Sequence, residues 1–198
     1  MISEPMTLAT DYLLAAAAAV MAALVLRRAG AEDSRRWWGI AFIALALGAA
    51  LGGTYHGLRL EALWKPTLLV LGVASVGMVA GSAVATTRGM GRRALLALAA
   101  AKLVLYWLWV WRDDRFIGAI ADTGSAFVLV ALLHTLRWRA PGSRSIMGGV
   151  ALSIAAAAVQ ASGVDLHRHF NHNDLYHLVQ LGALLAYYRG VRVLVDRR

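Results

Sequence analysis

Apolar residues in this chain come in long continuous runs separated by short polar stretches. Seven runs stand out, at about 8–26, 37–56, 63–86, 94–111, 116–136, 146–162 and 174–194. Several reach the roughly 20 residues that a helix needs to cross the hydrocarbon of a bilayer. Strands of a membrane barrel would alternate apolar and polar positions, and these runs do not. The pattern predicts an all-α polytopic membrane protein, a seven-transmembrane-helix bundle forming one integral membrane domain over 1–198. Glu4 stands where a cleavable signal would carry a basic region, so the first run is expected to persist as a helix.

Composition supports this class. The 198 residues are 60% hydrophobic and 16% charged, with a mean hydropathy of +0.61, whereas soluble domains carry about 25% charged residues. There is no cysteine, which excludes disulfides and thiolate metal sites. The formal charge of +9 and a pI near 10.8 reflect how charge is shared between the loops. Fourteen arginines follow the first, third, fifth and seventh runs, opposed there only by Glu32, Asp33 and Asp196. The other side holds eight acids and few cations. The positive-inside rule then places the N-terminus outside and the C-terminus in the cytoplasm, as in a bacterial inner (plasma) membrane. A nucleic-acid surface would need a basic face with stacking aromatics. The expected partner is therefore membrane lipid, not nucleic acid, and the oligomeric state is left open. Trp37, Trp38 and Trp138 on one side, and Trp64, Trp107, Trp109 and Trp111 on the other, read as aromatic belts.

Helix direction gathers the chemistry at one end. Five of six histidines fall on the expected outer side; His134, near the cytoplasmic end of the fifth run, is expected to be an interfacial residue. His56 ends the second run, and the seventh opens with Asn171-His172-Asn173-Asp174-Leu175-Tyr176-His177. Asp122 lies on the order of 9 Å below the outer end of the fifth run, at about 1.5 Å per residue. Asp11 opens the first run, Lys65 the third, and Gln160 closes the sixth. Lys102, mid-helix in the fourth run, is expected to face the bundle close to an acceptor, since a cation facing lipid is costly. Histidine with carboxylate suits zinc, bound by three protein ligands with one position open to water. His56, His172, His177 and Asp122 are the candidate ligands. Asp122 is also a candidate base or a cation's partner, and Asp174 is expected to orient a histidine. Two other readings stand beside the metal: Asn171 or Asn173 capping the helix with Asp174 favoured by its dipole, or a proton or solute path.

Gly52-Gly53-Thr54-Tyr55-His56 ending the second helix and the histidine-rich opening of the seventh resemble the CREST superfamily, which includes alkaline ceramidases, progestin and adipoQ receptors and hemolysin III-like proteins. The resemblance implies a seven-helix fold with zinc-dependent hydrolysis of a lipid amide or ester. His56 matches the family's second-helix histidine, and His177 the second histidine of its seventh-helix pair. Gly52 stands at the family's serine position, Asn173 at the first histidine of the pair, and the third helix, beginning Trp64-Lys65-Pro66, has no aspartate. The rival expectation is a seven-helix binding or transport protein with a polar outer pocket for a small ligand or proton.

Overall fold

The computed structural model describes residues 2–167 and 170–198. Arg168 and His169, which belong to the expected outer loop, lie outside the described residues. Among the described residues the chain forms seven long helices and no strand: α1 (Pro5–Arg27), α2 (Asp33–Leu58), α3 (Trp64–Thr86), α4 (Gly89–Arg112), α5 (Ile117–Leu136), α6 (Ser143–Ser162) and α7 (His172–Val191). Six of them are long and apolar enough to cross a membrane. The seventh falls short because His172, Asn173, Asp174, His177, Gln180 and Arg189 dilute its apolar surface. Most helices begin a few residues before the apolar runs, since polar residues of the first turn are helical too.

The arrangement is a ring. Helix α1 packs on α2, α2 on α3, α3 on α5, α5 on α6, α6 on α7, and α7 closes on α1. Helix α4 lies outside the ring, against α3 and α5. Helix α3 is the most buried, with 72% of its apolar window inside the protein. Its glycines are the reason. A Cβ on Gly77 would stand 2.7 Å from the Trp37 carbonyl oxygen, and one on Gly81 2.4 Å from the Trp38 ring. Small residues let two helices approach this closely. Trp38 is thereby fully buried, tilted against Tyr187 at 5.2 Å between ring centroids and near Phe42. Its place in the core corrects its assignment to an aromatic belt. His134, expected at an interface, is fully buried as well. Its ring nitrogens meet Ser143 at 3.0 Å and Ser82 at 3.2 Å, joining α5, α6 and α3.

The C-terminal tail folds back over the end of the bundle opposite the histidine cluster. Asp196 accepts hydrogen bonds from the backbone N–H of Asp33 (2.8 Å) and Ser34 (3.0 Å), while Arg35 donates to the Leu194 carbonyl. The N-cap Glu32 supplies no side-chain cap of its own. Asp196 thus acts as a cap from the far end of the chain, with its charge at the positive end of the α2 dipole. Asp196→Ala should lower stability by about 0.5–2 kcal/mol, read as a lower unfolding midpoint in detergent; an unchanged midpoint would mean the tail does not hold α2.

Candidate functional site

The expected outer end gathers the starts of α1, α3 and α7 and the close of α2. Polar residues Glu4, Thr7 and Asp11 recur at helical spacing on α1, with Thr10 beside them. This stripe meets the first two turns of α7. Asp11 Oδ1 stands 3.1 Å from His177 Nε2, and Thr10 Oγ1 stands 2.9 Å from His177 Nδ1. Asp11 and His177 are only 5% and 8% exposed. Gly53 of α2 makes room, because a Cβ there would lie 2.7 Å from that of Asp11.

The hydrogen bonding constrains the protons. Thr10 has one hydroxyl proton, and the carbonyl oxygens of Met6 and Thr7 are within reach of it. When that proton goes to the backbone, Thr10 accepts from His177 Nδ1–H. The other contact then joins Nε2 to a carboxyl oxygen, and a proton must lie between them. The dyad is then either an imidazolium beside a carboxylate or a neutral imidazole beside a carboxylic acid; when Thr10 instead donates to Nδ1, a neutral imidazole donates its Nε2–H to the Asp11 carboxylate. Each form makes it a buried acid–base pair. Tyr176 and Asp174 both lie within electrostatic reach of Asp11.

Asp174 has a different task from the one expected. Its Oδ2 accepts from the Asn171 N–H at 2.8 Å, and Asn171 Oδ1 accepts from the N–H of Asn173 and Asp174, completing a capping box. Asp174 Oδ1 accepts from Thr7 Oγ1 at 3.0 Å. Asp174 therefore fastens α7 to α1, its carboxylate taken up by Asn171 and Thr7 among the described residues. The capping reading of Asn171 holds together with the polar network. Gln160 of α6 donates to Asn173 at 3.3 Å.

The remaining candidates lie apart from the dyad. His56 Nδ1 is 3.3 Å from Glu4, which also pairs with Arg59. His172 turns outward to Asp165 (2.9 Å), and its ring and backbone hydrogen bonds hold that carboxyl below its usual range. Asp122 is the clearest correction. Among the described residues α5 packs on α3, α4 and α6 and not on α2 or α7, and the Asp122 carboxylate pairs with Lys102 of α4. Lys102 thus faces the bundle with an acceptor, as its depth requires. Lys65 pairs instead with Asp114 at 3.7 Å. Among the described residues no three His, Cys, Asp or Glu side chains form a group able to hold one metal ion. Among the described residues His56, His172, His177 and Asp122 are not brought together: His56 faces Glu4, His172 faces Asp165 and Asp122 pairs with Lys102.

Inside the ring lies a cavity of about 240 Å³. Its walls come from α2, α3, α5, α6 and α7 and are mostly apolar, with Ser153, Gln160, Gln180 and Tyr176 among the polar groups. Ser153 Oγ meets the Tyr187 hydroxyl at 3.2 Å and accepts from Gln180. Tyr176 belongs to this wall, and its ring meets that of His177 edge-on with centroids 5.1 Å apart, so one side chain stands between the cavity and the dyad.

Fold and site together define an all-helical bundle, six of whose seven helices are long and apolar enough to cross a membrane, with a buried acid–base pair and a cavity among the helices. The chain belongs to a family of unknown function, DUF6962, whose model matches residues 6–196. No curated protein and no solved structure matches it.

Sequence reasoning noticed Asp11 but did not pair it with His177, and it missed Thr7, Thr10 and Glu4. The available signal was a polar stripe at i, i+3 and i+4 in an otherwise alanine-rich helix. The pairing itself is testable. His177→Leu leaves a buried carboxyl without its partner and should cost about 3–5 kcal/mol. Adding Asp11→Leu should recover most of that loss in the same unfolding assay. Additive losses in the double variant would contradict the pairing.

Proposed function

We propose that this protein binds a small amphiphile within the ring, its apolar part in the cavity and its polar end at the Asp11–His177 dyad. One observation carries the reading: Tyr176 and His177, adjacent in sequence, join an apolar-walled cavity to a buried acid–base pair. Small-molecule sites commonly combine apolar walls with a few convergent polar groups in about 300–1,000 Å³. A cavity of about 240 Å³ suits a small ligand or a single acyl chain. Gln160, Gln180 and Ser153 would orient it. Gly124 lines the cavity with open space where a Cβ would point. Gly124→Phe should weaken binding of dansyl-undecanoate by about tenfold, or roughly 1.4 kcal/mol, with the unfolding midpoint unchanged. Equal affinity in both proteins would sink the reading.

A second reading is a metal-dependent hydrolase of a lipid amide or ester, as the CREST resemblance implies. It is favoured by the 3.1 Å between Asp11 Oδ1 and His177 Nε2. Two ligands bound to one zinc at about 2.0–2.2 Å would stand roughly that far apart. This reading places Asp11 where Asp122 was expected and requires His56 to leave Glu4. Metal analysis of purified protein separates the readings. About one zinc per chain, lost in Asp11→Asn together with amide hydrolysis, supports the hydrolase; protein that binds amphiphile without zinc supports the binding protein.

For either function we propose seven crossings of a bacterial inner (plasma) membrane, with the N-terminus outside and the dyad toward the outer leaflet. The loop arginines support this orientation. A reporter fused after Arg198 should then read cytoplasm and one before Met1 the exterior. Both reporters reading the same side would overturn it.

A further inference from the structure

Helix α4 lies outside the ring and buries only Ala99, Tyr106 and Val110. Between it and α5 runs a groove of about 620 Å³, walled by Leu98, Leu105, Trp109 and Val128 among others, with Lys102 and Asp122 at its polar floor. It is separated from the ring cavity by α5, whose opposite face presents Thr123, Gly124 and Phe127 to that cavity. Nothing in the acid–base dyad involves this floor.

Hydrogen-bonding capacity is left over there. Lys102 Nζ has three donors; it meets Asp122 Oδ1 and, at 3.2 Å, Ser75 Oγ. One N–H therefore remains. Asp122 is 7% exposed, and its Oδ2 is buried with no hydrogen-bond partner among the described residues. A buried polar atom left unsatisfied is costly. Asp122 lines the groove, and its carboxylate has about four acceptor sites, of which Lys102 takes up only part. The floor thus offers one acceptor and one donor side by side. A hydroxyl complements both, donating to Asp122 and accepting from Lys102. Because the ion pair is neutral as a whole, an anionic or cationic head would leave a net charge in hydrocarbon. The apolar walls suit the rest of a lipid.

We propose that the α4–α5 groove is a second site, open to the bilayer, that binds a neutral hydroxyl-bearing lipid through Lys102 and Asp122. Trp109 reports on it directly. In nanodiscs, a brominated long-chain alcohol should quench the Trp109 component of the fluorescence saturably, that component being the difference between the protein and Trp109→Phe. The matching methyl ether, which cannot donate, should act about fivefold more weakly, the worth of one net hydrogen bond. Replacing a buried ion pair by apolar residues is often tolerated. The Lys102→Met, Asp122→Leu double variant should therefore fold and lose the preference for alcohol. Ala121→Phe, which fills the groove without touching the pair, should lose it too, and it decides the matter if the double variant does not fold. Equal quenching by alcohol and ether, a stronger response to the brominated fatty acid, or a preference that survives Ala121→Phe would each overturn the site.

Discussion

Within the hydrocarbon of a bilayer no water is available to satisfy a polar atom, so each polar side chain must find its partner in the protein. On the proposed membrane placement, that constraint accounts for much of this architecture. Asp11, Thr10 and Thr7 of α1 are answered by His177 and Asp174 of α7. Lys102 of α4 is answered by Asp122 of α5 and Ser75 of α3. His134 of α5 is answered by Ser82 of α3 and Ser143 of α6. Between them these networks reach six of the seven helices. The first closes the ring between the helices that begin and end the chain. The second attaches the helix that stands outside it.

Helix α2 is held by other means. It meets α3 where Gly77 and Gly81 let the backbones approach, and its start is capped from the C-terminal tail by Asp196. Lipid tails are as apolar as leucine side chains, so burying leucine does little to bring membrane helices together. Close packing and polar contacts take that role. The seal over Trp38 follows from this: a residue larger than glycine at 81 would strike its ring.

The legible and illegible parts of this fold divide along physical lines. Length and apolarity made the helices visible, and the directions expected from the loop arginines put His56 and His177 at one end, where His56 meets Glu4 and His177 meets Asp11. Cost made Lys102 legible: a cation at that depth had to have an acceptor. What a continuously apolar run does not encode is which way the helix is turned and which helices are its neighbours. Depth alone therefore grouped Asp122 with the histidines, although among the described residues α5 packs on neither α2 nor α7. The same blindness placed Trp38 and His134 at interfaces, since both stand near helix ends, yet neighbouring glycines and serines enclose them. Tail residue Asp196 gave no local sign of being a cap, because its partners are more than 160 residues away.

Helix α5 gains its importance from what it touches least. It rests mainly on α3 and also meets α4 and α6, and its other faces border two hollows: the ring cavity beside Thr123 and Gly124, and the α4–α5 groove beside Asp122 and Ala121. Ser75 joins the two sides, lining the ring cavity while its hydroxyl lies between Lys102 and the Asp122 carbonyl. A change at the ion pair is therefore felt at the cavity wall through one side chain and one helix. The dyad, held by α1 and α7 on the far side of the ring, shares no side chain with that pair. Two polar centres in one small bundle are thus kept separate by the helix order, and substitutions at one can be read without disturbing the protons of the other.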